Sequence, residues 1–548
     1  NLMQHIRGAG GGGKGGGGGH TPTEADDSLQ SVQFATVLDL LSEGEIEGLD
    51  DGYKSIFLDG TPVKDSSGAD NFEGYSIVTR NGTQGQNHIA ALEGTETEVG
   101  VGVSVTKTGP VTRTIGISDN NTDRVRVTIR IPSLRIIEDD GDIVGNNVEI
   151  KIEVQYNGGG YNTVVQDEIR GKSSSVYMRD YVFAISGAFP VDIKVSRISD
   201  DSATKSNSET WWSSYTRIID EKFRYPNSAL TYLRFDSRQF SNIPTRKYLI
   251  KGIKIKLPSN ASVDTTTHIG RVTYSGVWNG TFGAATWCND PAWCLYDLLT
   301  STRYGCSIPE TTLDKWDFYA ISQYCNALVA DGKGGQEPRF ACNLLINQRK
   351  DVYSVIKEMT SLFRGMSYYG AGSLSVMQDK PADSQYLLGP ANVINGDFEY
   401  SGTSEKVRHT SISVAYQTYD GLGEAQFEYV EDADAVAKYG IVSKSLKALG
   451  CYSQGQAHRM GLWALKSEQL LTETCTFGVG IDSGIVLRPG MVIDIADPVK
   501  SGTRRSGRIG SGSTTTVINI DSSEDFSVDL TKSPTISVLL PNGLLETK

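Results

Sequence analysis

Apolar and polar side chains alternate with a period of two through much of residues 75–260. In residues 124–131 valine and isoleucine alternate with arginine and threonine, and the alternation returns in residues 148–155 and 191–196. This period places the apolar side chains on one face of an extended strand. One apolar and one polar face are typical of antiparallel sheets. We therefore predict antiparallel β-structure here, with a tight turn where Asn-Gly-Gly-Gly occupies residues 157–160.

The pattern changes to helical spacing further along the chain. Asp290-Pro291 predicts a helix start, with Asp as the N-cap and Pro at the first helical position. Thr311-x-x-Asp314 predicts a capping box in front of a second helix. Apolar residues within 352–363 recur three and four positions apart, which predicts an amphipathic helix.

Another helix is predicted over residues 453–471, and strands separated by Gly/Ser turns are predicted for residues 474–548. A chain of 548 residues is too long for one ordinary core, so three or more domains are expected. The predicted fold class is therefore a β-rich, multi-domain α+β protein.

The charge balance restricts the partners of the chain. It has 65 acidic and 52 basic residues, a formal net charge of −13. Tight general binding to duplex nucleic acid needs Lys- and Arg-rich faces, so this charge argues against that function class. No stretch approaches the roughly 18 apolar residues of a membrane helix, and no apolar signal-peptide core is present near the start. We therefore expect no membrane segment and synthesis in the cytoplasm.

Acidic residues are concentrated between Thr21 and Tyr53, a segment without lysine or arginine. Interspersed apolar residues predict that the segment is ordered. A solvated acidic surface is the simpler interpretation of such a run, and a negative lining of a passage is the alternative. The nine acids are Glu24, Asp26, Asp27, Asp39, Glu43, Glu45, Glu47, Asp50 and Asp51.

Seven cysteines occur, five of them within residues 288–342, and none forms a CxxC pair. An odd number cannot be fully paired in disulfides, and no zinc-ribbon spacing is present. Buried free thiols are the favoured interpretation, with a metal or cluster site as the alternative.

The sequence contains no GxSxG, HExxH or P-loop motif, and no GxGxxG with suitable flanks. His458, beside Arg459 on a predicted helix, has no paired nucleophile and is expected to pack or hydrogen-bond. We therefore predict no catalytic residue, no metal site and no cofactor, and the protein is not expected to be an enzyme.

Aromatic residues cluster in two places, at Trp211, Trp212 and Tyr215 and again at Trp278 and Phe282. Tryptophan is rarely placed on a surface unless a neighbour covers it. Domain core and subunit interface remain equal alternatives for both clusters.

Longer strings carry a resemblance to a known family. In this order they resemble the tip attachment protein J family of lambda-like siphophages, over about residues 19–500. The strings are GHTPTEA at 19–25, LSEGEIEG at 41–48, WSSYTRIID at 212–220, YPNSA at 225–229, GVWNGTF at 276–282, AWCL at 292–295, RYG at 303–305, DGKGGQEPR at 331–339 and GQAHRMGLW at 455–463.

The resemblance implies a homotrimeric baseplate hub with tube-like, β-barrel-like and α/β domains and β-rich insertions. Such a hub caps the tail tube at the distal end of the tail in the virion, links it to the central fibre and opens for DNA ejection. The implied partners are other tail-tip, tail-tube and tape-measure proteins, DNA that passes without specific binding, and a host outer-membrane receptor reached through a C-terminal region beyond this chain. Further core or interface anchors carried by the matching strings are Trp293, Arg303, Tyr304, His458, Arg459 and Trp463.

The resemblance also implies a domain order. The expected segments are a flexible glycine-rich arm (1–20), a first hub segment (21–95), a β-rich insertion (96–210), a hub β segment (211–285), a helical or α/β hub domain (286–380), a second tube-like domain with a helix (381–480) and a small β-barrel-like domain (481–548).

Two site hypotheses follow from the implied hub. The nine acids are predicted to face its lumen, and the glycine-rich arm with Arg7 and Lys14 is predicted to be an assembly element. A receptor-binding adhesin and a polysaccharide-degrading tail enzyme are the alternative functions.

Overall fold

The computed structural model describes residues 20–31, 34–89, 92, 95–370, 372–402, 408–501, 506–521, 528, 531 and 534–547. The chain divides into two compact units. The first comprises Asn1–Leu41 and Ser67–Thr245, and the second comprises Ser42–Ser66 and Arg246–Lys548. Residues 1–19 of the predicted arm, with Arg7 and Lys14, lie outside the described residues. The boundaries of the seven predicted segments stay predictions.

The described residues form 35 strands and seven α-helices. Up to residue 245 the strands are β1 (Phe34–Glu43), β2 (Ile46–Leu49), β3 (Ile56–Leu58), β4 (Thr61–Pro62), β5 (Ser76–Asn81), β6 (Thr95–Ser104), β7 (Val111–Ile115), β8 (Arg124–Ile131), β9 (Arg135–Ile137), β10 (Ile143–Val144), β11 (Asn146–Tyr156), β12 (Asn162–Gly171), β13 (Tyr177–Ala184), β14 (Val191–Arg197), β15 (Ser206–Asn207), β16 (Trp211–Ile219) and β17 (Ser228–Asp236).

The later strands are β18 (Arg246–Tyr248), β19 (Ile250–Pro258), β20 (Ala261–Val263), β21 (Val272–Tyr274), β22 (Phe282–Trp287), β23 (Leu328–Ala330), β24 (Gln336–Pro338), β25 (Gly365–Gly370), β26 (Ser373–Gln378), β27 (Tyr386–Leu388), β28 (Glu399–Gly402), β29 (Ser411–Gln417), β30 (Ala425–Glu431), β31 (Ser443–Lys447), β32 (Glu473–Thr476), β33 (Ile493–Ile495), β34 (Ser537–Leu539) and β35 (Leu545–Thr547). The helices are α1 (Pro291–Thr300), α2 (Lys315–Asn326), α3 (Val352–Ser361), α4 (Ala433–Tyr439), α5 (Gln454–Leu470), α6 (Ile481–Val486) and α7 (Pro498–Ser501).

Two four-stranded antiparallel sheets form the body of the first unit, in the orders β12-β11-β14-β7 and β13-β8-β16-β6. Alternate residues of β8 and β11, such as Val127 and Ile152, are fully buried, and both sheets contribute to one core. Asn157 and Gly158 have φ of 46° and 74° in the turn between β11 and β12. The predicted strands, their antiparallel pairing and this turn are confirmed.

The second unit contains the helices. Asp290 caps α1 and Pro291 is its first residue, as predicted. The predicted capping box at Thr311 is wrong. Residues 310–312 form a 3-10 turn, and the N-cap of α2 is Asp314, whose carboxylate accepts a 2.9 Å hydrogen bond from the backbone N–H of Trp316. An Asp directly in front of the helix can reach its free N–H groups, whereas Thr311 is one turn too early.

Helix α5 packs on one face of the sheet β30-β29-β31. Gly461 allows this close approach, because a Cβ there would lie 2.9 Å from side-chain atoms of both Val414 and Val430. The predicted helix over residues 453–471 is confirmed with an N-cap at Ser453. Alternation along β29 turns Ile412 and Val414 toward α5 and Ser413 away from it.

The described part of residues 474–547 contains short helices as well as the predicted strands. Short helices α6 and α7 occur among the described residues there, with β33 pairing in parallel with β27. The spacing of Ile481 and Ile485, four positions apart, fits one helical turn, a signal that a strand interpretation overlooked. Every sheet of the described strands has two open edges. The β-rich, multi-domain prediction is confirmed, and the tube-like, β-barrel-like organisation stays a prediction.

Candidate functional site

The first aromatic cluster lies within the core of the first unit. The Trp212 side chain is fully buried, and its Nε1 donates a 2.9 Å hydrogen bond to the Ser214 carbonyl oxygen. The Tyr215 ring centre is 6.2 Å from that of Trp212, and Trp211 on the same strand is half-buried. These residues pack β16 into the first unit. Trp212 and Tyr215 are therefore part of its hydrophobic core.

The second aromatic cluster belongs to one of the hydrophobic cores of the second unit. Trp278 is buried, and its ring centre lies 5.5 Å from Phe282, 5.9 Å from Trp293 and 4.7 Å from Trp316. Its Nε1 donates a 2.6 Å hydrogen bond to the Thr281 carbonyl oxygen. Edge-to-face rings of this kind add to the stabilisation from buried area. Trp278, Phe282 and Trp293 thus connect β22 to α1 and α2.

A buried polar network joins the same helices. The Asp290 carboxylate accepts hydrogen bonds from the backbone N–H groups of Ala292 (2.8 Å) and Trp293 (3.0 Å), and from the side chains of Ser322 and Asn326 on α2. Burial raises the pKa of Asp290. The Asp290-Pro291 pair predicted the helix cap from the sequence. No neighbouring residue in the sequence indicated that the same carboxylate would be buried against α2, 32 positions further along the chain.

Arg303 and Tyr304 contact the turn between β1 and β2. Arg303 forms an ion pair with Glu43. The Tyr304 hydroxyl donates a 2.6 Å hydrogen bond to Asp297, and its ring lies 3.0 Å from the Cβ position of Gly44. Gly44 has φ of +102°, so a side chain there would meet both backbone strain and this ring. The two residues therefore act together as a packing site within the second unit.

His458, Arg459 and Trp463 tie α5 to its surroundings. His458 Nδ1 lies 2.9 Å from Glu428 on β30. Arg459 forms a 2.6 Å ion pair with Glu337 and donates a 3.0 Å hydrogen bond to the Arg339 carbonyl oxygen. Trp463 is partly exposed, with the Arg364 guanidinium 5.0 Å from its ring centre. The prediction that His458 hydrogen-bonds agrees with this geometry.

Residues 20–31, which we name the acidic strap, lie along the first unit. Ala25 N–H donates to the Ile143 carbonyl oxygen (2.9 Å), and the N–H groups of Ser28 and Leu29 donate to the Lys172 carbonyl oxygen (3.0 and 2.9 Å). These backbone bonds hold the strap against β10 and the end of β12.

Lys172 forms ion pairs with two acidic residues of the strap. Its side chain is only 4% exposed, and its ammonium lies 2.7 Å from Glu24 and 2.8 Å from Asp27. Asp27 also accepts a 3.0 Å hydrogen bond from Ser174 N–H. Hydrogen bonds from Lys172 and Ser174 lower the pKa of Asp27 to about 2 and lower that of Glu24, while both carboxylates raise the pKa of Lys172. The sequence did not reveal this pairing, because Lys172 is 145 or more positions away.

Acids of the second unit also have cationic neighbours. Lys254 lies 3.1 Å from Glu45 and 3.9 Å from Glu47. Lys251 lies 3.2 Å from Asp50, and Lys54 lies 3.4 Å from Asp51. The segment carries no cation of its own, but Lys54 directly follows it and folding brings Lys251 and Lys254 to it from the distant strand β19. With Asp26 and Asp39 in the first unit, the nine acids divide between the two units. Their placement in a lumen stays a prediction.

An exposed apolar surface lies on the sheet β30-β29-β31, on the side opposite α5. Phe427 and Tyr429 of the edge strand β30 are 72% and 51% exposed, opposite Ala415 and Ser413 of β29. Ser445 of β31 extends the same face. We name these five residues the outer surface. Large exposed aromatics beside small residues are typical of contact sites.

The cysteines are free thiols, of which Cys288, Cys325, Cys342 and Cys451 are buried. Burial raises the pKa of Cys451 to about 11. The favoured interpretation of the cysteines is therefore confirmed for these four.

A cleft of about 390 Å³ lies beside β19, β20 and β22. Its lining contains no titratable side chain, so it lacks the paired carboxylates of a glycosidase. The lining residues are Leu257, Pro258, Ser259, Ala261, Val263, Thr265, Gly283, Ala284 and Thr286. In the described part of the chain, the helices are too short or too polar to span a membrane.

Solved structures give only weak likenesses. A family GH115 4-O-methyl-α-glucuronidase matches 25% of this chain and 18% of its own at 14% identity and a TM-score of 0.15. The CBM22-1 xylan-binding domain from Paenibacillus barcinonensis Xyn10C matches 35% of this chain and 99% of its own at 8% identity and a TM-score of 0.15. Neither score supports a shared fold.

Sequence comparisons are far stronger. Residues 95–221 match a family model described as "Tip attachment protein J, FNIII-A domain", and residues 351–511 match one described as "Putative phage tail protein". Tip attachment protein J of Escherichia phage SECphi27 is 37% identical over 89% of this chain and 41% of the relative. The protein of the same name from Escherichia phage SECphi4 is 36% identical over 92% of this chain and 44% of the relative.

The chain spans about two fifths of the length of these curated relatives. Both family models and both relatives carry the names of phage tail or tip attachment proteins. The predicted resemblance is confirmed by two relatives that cover most of the chain. The chain is therefore similar, over most of its length, to tip attachment protein J of two Escherichia phages.

Proposed function

We propose that this chain is part of a structural hub at the distal end of the phage tail. Three copies cap the tail tube, link it to the central fibre for host attachment, and separate to let DNA be ejected. The single observation that carries the proposal is the 37% identity to tip attachment protein J over 89% of the chain.

The outer surface supports assembly with other chains. Phe427 and Tyr429 lie on an edge strand, so a neighbouring chain could cover their rings and pair with the strand edge in one step. In this proposal the open sheets of one copy are completed by neighbouring copies into the tube. Other tail-tip, tail-tube and tape-measure proteins are the further proposed partners.

The net charge supports passage of DNA without binding. Three copies at −13 each carry a formal charge of −39. DNA carries one negative charge per roughly 1.7 Å of its axis, so an acidic conduit repels it. We place the acids of residues 24–51 at this lumen. Glu45 and Asp50 stay about half exposed although they pair with Lys254 and Lys251, so both carboxylates can face the passage.

The glycine-rich arm is proposed as an assembly element that reaches a neighbouring subunit. Arg7 and Lys14 give it positive charge, whereas the acidic strap that follows is negative. A glycine backbone can follow narrow paths between subunits. Loss of residues 1–20 is expected to impair assembly without changing the unfolding of either unit.

The hub placement is tested by imaging virions that carry a marker in this chain. A short peptide tag inserted at Asn157–Gly158 lies in an exposed hairpin turn and should leave the sheets intact. Antibody-fragment density on the tag is expected at the distal tail end, in three copies about the tail axis. Density elsewhere on the particle, or a copy number that is not a multiple of three, would overturn the proposal.

A further inference from the structure

Three potential metal ligands meet where the acidic strap begins. His20 is the first described residue of the strap, and Asp140 and Asp142 lie in the turn between β9 and β10. His20 Nε2 is 2.6 Å from Asp142 Oδ1 and 3.6 Å from Asp140 Oδ2, and one donor atom of each residue lies within 4.8 Å of the other two. Metal–ligand bonds of about 2.1 Å separate neighbouring donors by roughly 3.0–3.4 Å, so these separations bracket that spacing.

The backbone holds the two sides of this cluster together. Thr23 N–H donates a 2.7 Å hydrogen bond to Asp142, and Ile143 N–H donates a 2.9 Å hydrogen bond to the Thr23 carbonyl oxygen. Gly141, at φ +93°, leaves room for Pro22, whose side chain lies 2.8 Å from the position of a Cβ. The ligand set is therefore carried by two segments that are already docked, and little ordering is needed to bind an ion.

The local charge favours a cation. Among the described residues, His20 is the partner of Asp140 and Asp142 in the ion pairs that they form. The neighbouring Asp139 pairs with Lys205 instead. His20 and Asp140 are about half exposed, which leaves space for water molecules to complete a coordination shell. One imidazole nitrogen with two carboxylate oxygens is a donor set suited to zinc-type dications rather than to Ca²⁺, which prefers oxygen alone.

We propose that His20, Asp140 and Asp142 bind one zinc-type dication that fixes the start of the acidic strap to the turn between β9 and β10. The ion then acts as a clip across 120 residues of sequence. Because the glycine-rich residues 1–19 directly precede His20 in the sequence, the clip also fixes the residue to which the arm is joined. This site lies within one unit and does not depend on the proposed hub.

Calorimetric titration of the full chain with Zn²⁺ tests the site. His20→Ala and Asp140→Asn are each expected to weaken binding at one site at least tenfold. Asp139→Asn, which alters the adjacent acid that pairs with Lys205, is the matched control and should change the affinity less than twofold. His5→Ala controls for chelation by the arm. Equal affinity in the chain and in His20→Ala, or no binding up to 1 mM Zn²⁺, would overturn the proposal.

Hydrogen–deuterium exchange provides a readout besides affinity. Zn²⁺ is expected to slow exchange in residues 20–31 of the unaltered chain and of Asp139→Asn, and to have no effect in Asp140→Asn. Mg²⁺ at the same concentration should leave exchange unchanged. Slowing in Asp140→Asn as well would show that the ion binds elsewhere and would contradict the clip.

Discussion

The two units have hydrophobic cores of different residue composition. In the first unit the core is mostly aliphatic, made by alternate residues of paired strands, with Trp212 at β16. In the second unit aromatic rings from β22, α1 and α2 meet around Trp278, next to the fully buried carboxylate of Asp290. One core depends on register between strands, and the other depends on a polar network shared by two helices.

This difference decides where each unit is sensitive. An aliphatic sandwich distributes its stability over many similar contacts, so one residue matters in proportion to the area that it buries. A buried carboxylate must keep its hydrogen-bond donors, because an unsatisfied polar group inside a core costs free energy. The second unit should therefore respond strongly to a small polar substitution, whereas the first should respond chiefly to lost volume.

Removal of a buried tryptophan is the largest expected effect in either unit. Trp212→Ala and Trp293→Ala should each lower the free energy of unfolding by about 3–5 kcal/mol, the usual range for this change in a core. Hydrogen–deuterium exchange should show faster opening in the first unit for Trp212→Ala and in the second unit for Trp293→Ala. Trp316→Ala, at a half-exposed position, is the matched control with a smaller loss. Equal losses for all three would contradict the core assignment.

Substitution of Asp290, the buried N-cap of α1, tests more sharply whether the second unit depends on its polar network. Asp290→Ala removes a helix cap and leaves donors of Ser322 and Asn326 without their acceptor, so we expect a loss of about 3 kcal/mol. Asp314→Ala removes the exposed cap of α2 and should lose only about 1 kcal/mol. Chemical denaturation followed by tryptophan fluorescence measures both variants. Similar losses for the two would show that the network around Asp290 adds nothing to an ordinary cap.

The acidic strap gives the smallest effect and one that depends on pH. The pKa of Asp27 is held at about 2, below its ordinary value of 3.8, so its contribution is present above about pH 4 and is lost as the pH falls toward 2. Exchange in residues 20–31 should therefore speed up between pH 4 and pH 2 relative to the intrinsic rate. Lys172→Gln should weaken this pH dependence, because only the hydrogen bonds from Ser174 remain, while Lys205→Gln, at an exposed pair, should retain it. A pH profile unchanged by Lys172→Gln would contradict the pairing.

Local patterns identified much of the fold. The alternation in residues 124–131 and the Asp-Pro start at residue 290 were sufficient for β8 and for α1, because both depend on neighbours in sequence. The tie between Lys172 and the strap was not predictable, since it joins residues about 145 positions apart. The exposure of Phe427 was not predictable from the sequence either. A period of two shows that a strand has two faces, but it does not show which neighbouring element covers each face.

The outer surface offers the most direct test of the claim that this chain assembles as a hub. Light scattering of the purified chain should give the mass of three copies. Phe427→Ser with Tyr429→Ser should dissociate this assembly at concentrations where the unaltered chain stays trimeric. Tyr353→Ser, at a similarly exposed aromatic on α3, should remain trimeric. A mass of one copy at every concentration would contradict the account.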